Sequence, residues 1–218
     1  LCPGRALPVL VLIKDAHRYP IHLHSLQLII RQNGEVVFSN AFSFEVSIDQ
    51  SWWWQVLHID LRKIDPGELQ VETLVEYTVR GRRKQCRADN HALTSHDPFD
   101  MMLLDEPLPC IDGYGIGDLH THSSYTSDQV EFGAPVPAIA SAAKAMGHQF
   151  VAVTDHSYDL DDDPNNYLVN DPGLSKWHQY QREVEEANQA SDDFIIVPGE
   201  EVSCGNARGE NVHFLALN

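Results

Sequence analysis

The sequence lacks any long apolar run. The longest, Ala6 to Ile13, contains Pro8 and is far too short to cross a bilayer. No basic lead precedes it, so no secretory signal is read here; the compartment stays open, with the cytoplasm favoured. Cysteine is scarce too. Cys2, Cys86, Cys110 and Cys204 form no CxxC pair and show no framework spacing, which excludes a disulfide-stapled scaffold and predicts unpaired thiols. The third scarcity is positive charge. Fifteen Lys and Arg stand against 32 Asp and Glu, a net charge of −17. Only Lys144, Lys176, Arg182 and Arg208 follow residue 113. So negative a surface repels nucleic acid and anionic lipid, so neither is an expected partner. It suits a chain that binds metal cations.

What is present divides into two halves. Residues 6–13, 24–31, 35–48, 53–61 and 69–81 are rich in β-branched and aromatic side chains. Turn signals QNG (32–34) and DPGE (65–68) separate some of them. This predicts an antiparallel β-sandwich, with residues 88–116 as an aperiodic linker. The second half alternates between strand and helix patterns. Strands are predicted at 117–122, 149–156, 194–203 and 211–217. Helices are predicted at 136–147, with Ile139, Ala142, Ala143 and Met146 inward, and at 174–190, with Trp177, Tyr180, Val184 and Ala187 inward. That order predicts parallel strands with crossover helices. The domains expected are 1–113 and 114–218, and the fold class is a two-domain α+β protein.

The chemistry concentrates in GDLHTHSSYTSD, residues 117–128. Residues two apart on a strand share a face, so His120 and His122 project together. His22 and His24 have the same spacing but no acidic neighbour in sequence, and are read as surface histidines. What distinguishes the later pair is its company. In parallel α/β folds, chemistry gathers at strand carboxyl ends. Here those ends carry His120 and His122, then Asp155 and His156, then Glu200 and Glu201. If CGNARGEN is a hairpin loop centred near residue 207, Glu201 faces His213 across an antiparallel pair. That favours Glu201 over Glu200 as the inward carboxylate.

In order, DLHTHSSYTSD, AVTDHS, VPGEEVS and NVHFLAL resemble the opening motifs of the PHP (polymerase and histidinol phosphatase) metallohydrolases, over residues 114–218. The β-rich first half is similar to the carbaryl-hydrolase-like branch of that superfamily. The resemblance implies a distorted (β/α)7-type barrel holding two or three divalent ions. It makes His120 and His122 the first metal pair, Asp128 an outer ligand, His156 the next histidine, Glu201 the bridging carboxylate and His213 the following ligand. The family pattern continues beyond Asn218, so a C-terminally incomplete barrel is expected.

Imidazole and carboxylate donors together suit Zn, Mn or Fe better than Mg or Ca. The expected activity is hydrolysis by a hydroxide on a di- or trinuclear site, with His120, His122, Glu201 and Asp155 as the catalytic set and Asp118 and Asp155 accepting ring N–H bonds. The resemblance implies a small phosphoester substrate, with Arg208 as a possible contact. Two alternatives stay open. One is carbamate, amide or ester hydrolysis at the same site. The other is a non-catalytic metal-binding or interaction module with a degenerate half-barrel.

Overall fold

The computed structural model describes residues 1–88, 94–127, 132–164 and 166–218. The chain divides into two compact units, Leu1–Pro107 and Leu108–Asn218.

Among its described residues the first unit has seven strands: β1 (Leu7–Lys14), β2 (Ile21–Gln32), β3 (Glu35–Ile48), β4 (Trp52–Ile59), β5 (Gly67–Val79), β6 (Arg82–Arg87) and β7 (Phe99–Leu103). β1 and β4 form an antiparallel ribbon, and the other five form a sheet in the order β3-β2-β5-β6, with β7 also on β5. Asn33 and Gly34 both have positive φ and close the β2–β3 hairpin; Arg80 and Gly81 do the same between β5 and β6. A two-residue turn with both φ positive matches the right-handed twist of its strands, and Asn-Gly is its strongest signal. Arg80-Gly81 lies inside the stretch expected to continue as strand, so the chain reverses earlier than predicted. β7 likewise occupies part of the expected linker, since FDMML has too little alternation to announce a strand. Leu26, Leu28 and Ile30 bury the inner face of β2 at the strand period of two. Leu23 is also buried, three residues before Leu26. The phase slips because the β2 register shifts between Leu23 and Ser25 against both neighbours, leaving His24 as an inserted residue.

The second unit holds β8 (Gly117–Thr121), α1 (Val136–Met146), β9 (Phe150–His156), α2 (Ser157–Leu160), β10 (Asp162–Asp163), β11 (Asn166–Asn170), α3 (Ser175–Gln189), β12 (Ile195–Gly205) and β13 (Asn211–Leu217). Its main sheet has four strands in the order β13-β12-β9-β8. β8 and β12 run parallel to β9, and β13 runs antiparallel to β12. β9 is buried from Val151 to His156, as a central strand covered on both faces must be. Val136 and Ala143 of α1 pack with Val151 and Val153 of β9 and with Tyr180 and Val184 of α3. Ala142 and Met146, expected inward, are exposed, because the inward stripe runs through Val136 and Ala143 instead. Tyr180 is fully buried; its hydroxyl donates to Val153 O at 2.6 Å and accepts Gly199 N–H at 3.1 Å. One phenol thereby ties the helix to the two strands that deliver the site.

The expected fold class is overturned. Strands hold 51% of the chain and helices 14%, so the protein is mostly β rather than α+β. The second unit is not a (β/α)7 barrel: its main sheet has four strands, one antiparallel, and the described residues of the whole chain contain three helices. Alternating strand and helix patterns fix parallel neighbours locally, but closing a barrel needs that unit repeated round a circle. None of these helices is long and apolar enough to cross a membrane.

Candidate metal centre

The site gathers round one carboxylate. Glu201 is buried, and its Oε2 lies 2.9 Å from His122 Nε2, 3.3 Å from His156 Nε2 and 3.6 Å from His120 Nε2. His213 Nδ1 hydrogen-bonds the other oxygen, Oε1. Four imidazoles thus meet a single anion: His120, His156 and His213 from strands β8, β9 and β13, and His122 from the residue following β8.

Strand register explains the convergence. His156 ends β9 directly opposite Glu201 on parallel β12. Glu201 pairs with Leu215 on β13, and His213 pairs with Ser203. The hairpin is therefore centred on residue 208 rather than 207, because Asn206 Oδ1 accepts from the N–H groups of Arg208 and Glu210 and shapes a tight loop there. His213 and Glu201 are diagonal neighbours on one face, not directly opposed, and remain within reach. On the other side, β8 shifts register against β9 between Asp118 and Thr121, next to His120. Such an irregularity re-aims the side chains around it.

Hydrogen bonds hold the rings in orientation. Thr154 Oγ1 sits 2.7 Å from His120 Nδ1, which leaves His120 Nε2 directed at Glu201. Tyr158 Oη lies 2.7 Å from His156 Nδ1, and Asp159 Oδ2 lies 3.3 Å from the same nitrogen. Asn211 Nδ2 donates to His213 Nε2 at 2.9 Å, so His213 presents its N–H to Glu201. Burial alone would raise the Glu201 carboxyl; the hydrogen bonds from His213 and His122, with His120 and His156 nearby, bring it below the usual range. The carboxylate is therefore held in its ligating, ionised form.

Two expected roles change. Asp155 is fully buried, but its carboxylate accepts from Ser123 N at 2.7 Å, Thr126 N at 3.0 Å and Ser123 Oγ at 2.6 Å. It braces the loop after His122 instead of orienting a ring. Asp118 Oδ1 similarly accepts from the backbone N–H of His120 at 3.1 Å. Gly133 closes that loop: a Cβ there would lie 2.0 Å from His122 O and 2.4 Å from Ser123 O, so only glycine fits. Arg208 lies in the exposed β12–β13 turn, where its backbone N–H bonds Asn206. Asp128 lies outside the described residues.

His120, His122 and Glu201 present donor atoms within 4.8 Å of one another and could hold a metal ion. A second group, His22, His24 and Glu45, meets the same condition. Sequence reasoning missed Glu45, which contacts both histidines from the next strand. Its only sequence cue was that strand pairing could supply an acid from β3. No protein-family model matches the chain, and no curated protein matches it.

Proposed function

We propose that the second unit is a metal-dependent hydrolase acting on a small ester, with a phosphoester as the leading substrate class. The observation that carries this reading is the approach of three imidazole Nε2 atoms to Glu201 Oε2. Imidazole nitrogens beside a carboxylate oxygen fit Zn, Mn or Fe as donors, whereas Mg and Ca favour all-oxygen shells. His120, His122 and Glu201 would hold the ion, and His156 stands ready to extend the set to a second. When bound, such ions lower the pKa of a coordinated water toward neutrality and polarise the bond to be broken.

The chain's own residues do the positioning. Thr154 fixes His120, and Tyr158 with Asp159 fixes His156. His213 keeps Glu201 ionised from the far oxygen. Asp155 holds the Ser123–Thr126 loop beside His122. The ordered motifs that resemble the PHP metallohydrolases also support hydrolysis, although the seven-stranded barrel of that family is no part of the reading.

A carbamate or other neutral ester is the second reading, and two ion pairs favour it. Lys144 is engaged by Ser191 and Asp193, and Lys176 by the Asp159 carbonyl and Asp162. A phosphate dianion would then be neutralised mainly by metal. Aryl phosphates and aryl carbamates, assayed with Zn or Mn, separate the two readings. Hydrolysis that disappears in His122→Ala supports the proposal. Hydrolysis equal in the wild type and His122→Ala overturns it, and metal binding without turnover of either ester leaves a non-catalytic metal module.

A further inference from the structure

The first unit carries a second histidine pair, and it is better built than an accidental surface contact. His22 Nε2 and His24 Nδ1 approach the same oxygen, Glu45 Oε2, at 3.1 and 3.2 Å. The two rings stand 4.8 Å apart, centroid to centroid, in an edge arrangement. Each ring's other nitrogen meets a hydroxyl: His22 Nδ1 is 3.0 Å from Ser47 Oγ, and His24 Nε2 is 2.8 Å from Thr78 Oγ1. Without an ion, the inner ring nitrogens can donate their protons to Glu45. With the hydroxyls accepting from the outer nitrogens instead, both inner nitrogens turn lone pairs toward the carboxylate, which is the form that would bind a cation. Metal-bound histidines show this same division, one nitrogen on the ion and the other hydrogen-bonded.

The backbone is bent to make the group. His24 is the inserted residue in β2, and β3 skips both Phe44 and Glu45 in the matching register. Glu45 has φ +45°, the left-handed region that a residue with a Cβ enters only at an energetic cost. Alternation is kept through the irregularity: Phe42, Phe44 and Val46 pack on the core, and Glu45 lies on the opposite face with the histidines.

From these contacts the geometry points to a second metal site in the first unit, with His22 Nε2, His24 Nδ1 and Glu45 Oε2 as ligands for a borderline divalent ion of the zinc class. Two imidazoles and one carboxylate are a donor set that such ions accept, with a further position open to water. This site stands independently of any hydrolysis in the second unit.

The test is zinc titration of the full chain by calorimetry, in a His122→Ala/Glu201→Ala background that removes two ligands of the other centre. One equivalent of Zn²⁺ is expected to depend on this site. Glu45→Gln keeps the side chain's size and should weaken that equivalent at least tenfold, and His24→Ala should abolish it. Zn²⁺ should also raise the thermal unfolding midpoint of the background chain but not of its Glu45→Gln derivative. Equal zinc affinity and equal thermal shift with and without Glu45→Gln would overturn the proposal. Should His24→Ala fail to fold, the Glu45→Gln pair of measurements decides the question by itself.

Discussion

His22-x-His24 and His120-x-His122 have the same spacing, and each stands at a register shift in its strand. Their carboxylates separate them. The Glu45 side chain is 61% exposed, whereas that of Glu201 is 9% exposed. The first pair meets its acid in water, where Coulomb attraction is heavily screened; the second meets it under the ends of a packed sheet. Two more imidazoles, His156 and His213, reach Glu201. Alternation along a strand therefore delivers the pair, but the neighbouring strand and the depth of the carboxylate decide what the pair can hold.

That contrast can be broken most sharply at the acids. Glu201→Ala should cut metal affinity of the second unit by about 100-fold or more, because three imidazole nitrogens lose their common partner. Glu45→Ala should cost less, since solvent can replace an exposed ligand. Competition titrations against a zinc indicator compare the two, and equal losses would erase the distinction. Next in size is Tyr180→Phe. It removes two hydrogen bonds between α3 and the strands carrying His156 and Glu201, leaving a buried N–H and a buried carbonyl less well satisfied. Urea denaturation should show a loss of about 1–3 kcal/mol. Zinc affinity at His22 and His24 should not move.

Thr154→Val sharpens the comparison at the level of ring orientation. His120 is the most exposed of the histidines round Glu201, with its side chain 46% accessible, and Thr154 is the hydroxyl that orients its ring. Metal affinity should fall roughly tenfold with little change in stability. A fall as large as that of Glu201→Ala would make the threonine a structural residue.

The smallest expected effect is electrostatic. Burial raises the Glu183 carboxyl above its ordinary value, only partly offset by the hydrogen bond from Tyr125, and Asp155 raises it further. The folded state therefore holds this proton more tightly than the unfolded chain. Stability falls as pH rises from the unfolded glutamate value, about 4.3, through the raised folded one. Glu183→Gln should remove that decline and stabilise the metal-free chain modestly at neutral pH, by thermal melts across the range. The Glu201 shift has the opposite sign: its contribution is present above the ordinary glutamate value and is lost as pH falls through the lowered folded one.

Much of this was legible beforehand. β3 and β13 occupy their predicted residues, since β-branched and aromatic runs declare strands. His120, His122, His156 and Glu201 are legible from their place at strand ends and His213 from the hairpin that pairs it near Glu201, and the five converge. The failures have physical causes too. The register round His213 was off because the Asn206 side chain, not the loop's arithmetic midpoint, sets the turn. Asp155 was misassigned because neighbours on a strand point to opposite faces, so a carboxylate beside His156 need not serve a ring. Glu45 was invisible because its left-handed backbone and its pairing with β2 are consequences of tertiary register, which FSFEVS does not encode.

β13 carries His213 yet is exposed along nearly all its length and, among the described residues, is an outer strand paired on one side alone. Fraying at a sheet's margin requires far less opening than melting its centre. Amide protons of residues 211–217 should exchange well before those of 151–155. Each such excursion withdraws one imidazole from Glu201 while the other three stay in place, giving the centre a built-in vacancy that comes and goes without unfolding.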